Sequence, residues 1–90
     1  MQVRARIERK LGQALAPARL EVIDDSARHA GHGGSRPGGE SHFRIEIVSQ
    51  AFAGKSRVER HRMVNALLAE ELAGPVHALQ LATLTPEEAG

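Results

Sequence analysis

Val3, Ile7, Leu11 and Leu15 recur at every fourth position of MQVRARIERKLGQAL, with charged side chains between them. Four helical steps of about 100° overshoot one turn by roughly 40°. The four residues therefore share one apolar stripe and predict a helix over about Gln2 to Leu15. Pro17 stops it, because its ring and missing N–H cannot continue the ladder. Leu20, Val22 and Ile23 then predict a strand over about Arg19 to Asp25. From Ser26 to Ser41 the apolar period disappears, and glycine, serine and proline make the segment a loop. The clearest strand follows, His42 to Ser49, with Phe43, Ile45 and Ile47 on one face and His42, Arg44 and Glu46 on the other.

Phe52-Ala53-Gly54 reads as a turn. Ser56-Arg57-Val58-Glu59 spells a capping box, in which hydroxyl and carboxylate satisfy orphan amides at a helix start. That helix is predicted to run to about Ala73, with Val58, His61, Val64, Leu68 and Leu72 on one stripe and Met63 and Leu67 beside it. Gly74-Pro75 predicts the stop: a left-handed cap, then a residue that cannot extend the helix. A last strand is expected from Val76 to about Leu84, and Thr85-Pro86-Glu87-Glu88 opens a final helical turn. The order of helix, two-stranded hairpin, helix and strand predicts one α+β domain over residues 1–90. Its small three-stranded mixed sheet is packed by helices on one face.

Composition narrows the function classes. Hydrophobic residues make up 41% and charged residues 26%, the balance of a globular chain, and a 90-residue chain has little room for a deep closed pocket. Phe43 and Phe52 are the only aromatics, which argues against base-stacking platforms. A formal charge of +1 exerts no global pull on nucleic acid. No apolar run reaches the ~18–20 residues of a membrane span. The N-terminal stretch lacks the apolar core of a signal peptide and fits a folded helix, so the cytoplasm is the default compartment. The absence of cysteine excludes a disulfide framework and any thiolate ligand from this chain.

Five histidines remain as candidate chemistry. His42 starts a strand on its polar face and reads as solvated; His61 falls on the apolar stripe of the long helix and reads as half-buried packing. His77 follows the Gly-Pro stop. His29 and His32 sit in the glycine loop, the kind of segment that carries binding groups on a rigid scaffold. Neutral imidazole suits zinc, copper or iron, and glycines allow close backbone approach. Two or three histidines with no carboxylate at fixed spacing still fall short of a closed zinc site. No nucleophile elbow, Walker loop or H-E-x-x-H is present, so no enzyme is expected. Lys55, Arg57, Arg60 and Arg62 crowd the start of the long helix against Glu59. They fit either a solvated face or a weak, salt-sensitive phosphate contact.

The segment SHFRIEIVSQAFAGKSRVERHRMVNALLAEELAGPVHALQL, residues 41–81, resembles the BolA family. The S-H-F strand start, the F-x-G-x-x-x-x-x-R-H-R-M-V helix start and the L-A-E-E-L-x-G-P-V-H-A-L ending carry the likeness. It continues back through the glycine loop and first helix. The resemblance implies an α-β-β-α-α-β-α arrangement, similar to the class II K-homology fold. It also implies a monothiol glutaredoxin as partner and a bridging [2Fe–2S] cluster shared with that protein and its glutathione, none being expected in the isolated chain. By family position, His77 is one ligand and His32 the other, with His29 second choice for the loop. The family is also described as transcriptional regulators that contact DNA through a helix-turn-helix-like region, here Lys55, Arg57, Arg60 and Arg62.

Overall fold

The computed structural model describes residues 3–25 and 41–90. Helix α1 spans Val3–Leu15 and buries its whole predicted stripe, Val3, Ile7, Leu11 and Leu15. Ahead of Pro17 the helical region is sterically disfavoured; Ala16 takes the left-handed φ of 42° while its N–H still bonds the Gly12 carbonyl. Strand β1 (Arg19–Asp24) pairs antiparallel with β2 (His42–Val48), from Arg19 opposite Val48 to Asp24 opposite Phe43. Strand β3 (Ala78–Leu84) lies parallel to β2, His42 opposite Ala78 and Val48 opposite Leu84. The central strand is thus β2.

A parallel pair needs a crossover, and α2 (Arg57–Leu67) with α3 (Ala69–Ala73) supplies it. Alternation along the strands sends Val22, Phe43, Ile45 and Ile47 into the core with Ile7, Leu11, Phe52, Val64 and Leu68. Fully burying one such side chain is worth about 1.5–3 kcal/mol. The opposite sheet face presents Glu21, Ile23, Arg44, Glu46, Gln80 and Ala82. The expected one-sided α+β sandwich is what forms.

Ser49 ties the layers together. Its hydroxyl donates to the Leu15 carbonyl at 2.6 Å, satisfying an orphan acceptor at the end of α1, and accepts from Ala51 N–H. Its own N–H bonds the Leu84 carbonyl at the end of β3. A short 3₁₀ turn, Gln50–Phe52, follows and buries Phe52. The Ser56–Glu59 box then forms in full, with hydrogen bonds of 3.1 and 2.8 Å.

The second half of the chain departs from periodicity. The predicted single helix breaks at Leu68, whose φ of −103° and ψ of 20° separate α2 from α3. Of the expected stripe only Val64 and Leu68 are buried, and Val58 is 56% exposed. The break redirects α3 so that Glu71, not Leu72, faces inward. Its carboxylate lies 3.0 Å from Arg6 Nη2 and accepts a 2.9 Å bond from Lys10 Nζ, two cations spaced four apart on α1. Burial is affordable for a carboxylate so compensated. Gly74 ends α3 with φ −110° and ψ −116°, not the left-handed conformation expected of it. The final strand begins at Ala78, because Val76 instead enters the core and bonds the Glu71 carbonyl through its N–H. Thr85 and Glu88 form a second capping box ahead of α4 (Pro86–Ala89).

Candidate functional site

Strand directions bring three chain junctions to one end of the sheet. The parallel strands β2 and β3 both start there, and the antiparallel β1 finishes there. Asp25 N–H donates to the His42 carbonyl at 2.8 Å, closing the base of the segment that leaves β1 and returns into β2. His77 N–H donates to the Ser41 carbonyl at 2.7 Å, and Ala78 N–H reaches the same oxygen at 3.3 Å. Val76 is buried beside them, so the residue after it turns outward, and the His77 side chain is exposed. His29 and His32 lie outside the described residues. They belong to the segment whose two ends, Asp25 and Ser41, lie at this end of the sheet, Ser41 bonded directly to His77.

His42 also belongs to this place, although its position on the polar face had read as solvated. Its ring centre is 6.5 Å from that of His77, the planes tilted by 38°. Ser41 Oγ sits 3.0 Å from His42 Nδ1. The signal was present in the chain. A returning strand parallel to the His42 strand sets the two strand starts side by side, and each start carries a histidine. His61 lies on α2, half-buried as expected. Among the described residues, no three histidine or carboxylate groups converge as a metal cage.

The basic residues at the start of α2 are not equivalent. Lys55, Arg57 and Arg62 are exposed. Arg60 turns back onto the protein. Its Nε donates to the Lys55 carbonyl at 2.9 Å, its Nη1 to the Thr83 carbonyl at 3.0 Å, and both terminal nitrogens hold Glu88 at 2.6 and 3.2 Å. The guanidinium also lies 5.9 Å from the Phe52 ring centre. The Arg60 hydrogen bonds, helped by Thr85 N–H, lower the Glu88 carboxyl to about 2. The same pairing raises Arg60 above its ordinary value. Glu59 is held below the usual carboxylate range by Ser56, and the Ser56 and Glu59 amides are answered from within the capping box.

A mixed three-stranded sheet with helices on one face, and two histidines meeting at the sheet end where its long connection is rooted, define a small α+β domain with a pair of imidazoles at one sheet end. The chain belongs to the BolA-like protein family, whose model matches residues 11–88. It is 50% identical over 88 residues to "BolA-like protein 1" of Pongo abelii, covering 98% of this chain and 61% of that protein. It is 49% identical to "DNA-binding transcriptional regulator BolA" of Escherichia coli K12, covering 98% of this chain and 80% of that protein. Among solved structures, the BolA domain of SufE1 from Arabidopsis thaliana superposes with a TM-score of 0.84 at 48% identity, over 94% of this chain and 93% of that one. The chain therefore spans about three fifths of the first relative's length. Among the described residues no helix is long and apolar enough to cross a membrane.

Proposed function

We propose that this domain is a non-enzymatic accessory protein of iron–sulfur cluster handling in the cytoplasm, lending imidazole ligands to a [2Fe–2S] cluster held jointly with a monothiol glutaredoxin. The observation that carries the reading is the position of His77. It is exposed, fixed through its backbone to Ser41, and set at the root of the segment that bears His29 and His32. A sequence without cysteine brings no thiolate, so in this reading the thiolates come from the partner and its glutathione. That donor chemistry fits half a ligand set: His77 with His32, or with His29 in its place. A cluster bound this way supplies iron and electron-transfer capacity, and imidazole in place of thiolate raises its potential. Both imidazoles must be neutral to bind, so the complex is expected to be acid-labile.

The test mixes the chain with cluster-loaded monothiol glutaredoxin and follows visible absorption and circular dichroism. The parent and Arg57→Ala should change the spectrum alike, and His77→Ala should abolish the change. An unaltered response in His77→Ala would end the proposal.

A second reading rests on a separate observation: three exposed cations, Lys55, Arg57 and Arg62, at one helix start. In a relative of the E. coli regulator this patch is a candidate DNA contact, with Arg60 holding its scaffold in place. Electrophoretic shift that survives His77→Ala but fails in Arg57→Ala would favour it.

A further inference from the structure

The rings of His42 and His77 stand with their centres 6.5 Å apart. We propose that the two side chains form a chelating site for one divalent late first-row metal ion, Zn²⁺ being the probe of choice. Water would take the remaining coordination positions.

Distance comes first. A metal about 2.1 Å from a nitrogen of each of two imidazoles holds the ring centres roughly 5–6 Å apart. The observed 6.5 Å is reached from that geometry by a small side-chain rotation. The backbones cannot drift apart, since His77 N–H and Ala78 N–H share the carbonyl of Ser41, the residue preceding His42. Ser41 is itself buried, and so is Val76 on the other side of the pair. The two imidazoles are thus mounted on one anchored junction.

Tautomer comes second. A metal-bound histidine almost always gives its other ring N–H to an oxygen, which fixes the ring and strengthens the donor atom. Ser41 Oγ stands 3.0 Å from His42 Nδ1, in position to accept that proton and leave Nε2 for the metal. Chemistry comes third. Neutral imidazole pairs select Cu²⁺, Zn²⁺ and Ni²⁺ over the hard cations Mg²⁺ and Ca²⁺. The site differs from the cluster set in taking its second nitrogen from the strand start instead of the histidine-bearing segment.

The experiment titrates Zn²⁺ into the full chain alone, by calorimetry and by NMR of the imidazole nitrogens. One equivalent should shift the ring resonances of both His42 and His77. His42→Ala and His77→Ala should each weaken binding at least tenfold, and Ser41→Ala about tenfold through loss of the oriented ring. His61→Ala and the double change His29→Ala/His32→Ala should stay within threefold of the parent. Melting curves of the variants verify that they fold, and the spectrum of the parent chain tests the site without any substitution. A Zn²⁺ response that leaves His42 unmoved overturns the site, as does complete loss of binding in the His29→Ala/His32→Ala chain. Because no glutaredoxin is present, failure here is separate from failure of the shared-cluster reading.

Discussion

Glu71→Ala is the sharpest test of how α3 is held. The carboxylate side chain is 1% exposed and faces two cations from α1. Breaking a fully buried ion pair costs about 3–5 kcal/mol, chiefly by leaving a charge buried and unpaired. Here the residues left behind are not sealed in: Lys10 is 29% and Arg6 37% exposed, so both can rehydrate. That relief lowers the expected cost to about 2–3 kcal/mol, including the void left by the missing side chain. For a domain of this size each kcal/mol moves the melting temperature by about 4–8 °C. Glu71→Ala should therefore melt roughly 10–20 °C below the parent. Glu71→Gln keeps an oxygen for Lys10 and loses the charge, so about half the effect is expected. Thermal and urea unfolding by far-UV circular dichroism measure both. A Glu71→Ala chain within about 0.5 kcal/mol of the parent, the ordinary scale of surface changes, would refute the account of α3 as a helix clamped by α1.

Three further outcomes follow from named contacts. Ser56→Ala removes the hydroxyl of the α2 capping box and should cost about 1 kcal/mol, read as a lower urea midpoint at unchanged slope. Glu88 has its folded carboxyl lowered to about 2 by Arg60, so its contribution is complete above its ordinary value of 4.5 and is lost as pH falls toward 2. Melting temperatures of Glu88→Gln should accordingly show a flatter acid limb than the parent between those values. If the start of α2 contacts DNA, Lys55→Ala and Arg57→Ala should each reduce the slope of log affinity against log salt by about one, and unchanged slopes would assign these cations to solvent.

Period-2 and period-4 patterns carried most of the architecture. The α1 stripe, the Phe43-Ile45-Ile47 face and the Ser56–Glu59 box all form as expected, because each is a local signal reinforced by burial. The class and the family likeness hold as well. What escaped was tertiary. Hydrophobic spacing favoured one long helix with Leu72 inward, but the charges of Arg6 and Lys10, more than sixty residues earlier, drew Glu71 into that position. The left-handed Gly74 does not appear: at φ −110° and ψ −116° its N–H shares the Glu71 carbonyl with that of Val76, which the turn carries into the core. At the candidate site, His77 stands out by its place after Gly-Pro, whereas His42 does so only once the two strand starts are set side by side. Its neighbour is reached only through the parallel register of β2 and β3. His29 and His32 lie outside the described residues. Nor does side-chain chemistry alone separate Arg60 from the other three cations; the Glu88 contact that occupies it is 28 residues away.

The hydrogen bond from Asp25 to the His42 carbonyl has an evolutionary corollary. It makes the hairpin a closed ring at its root, so the intervening span can be lengthened, shortened or rewritten without reopening the sheet. Doubling such a span adds only about 0.6 kcal/mol of closure entropy. Residues of that span can thus be exchanged while His77 stays anchored to Ser41, a replaceable insert on an unchanging mount.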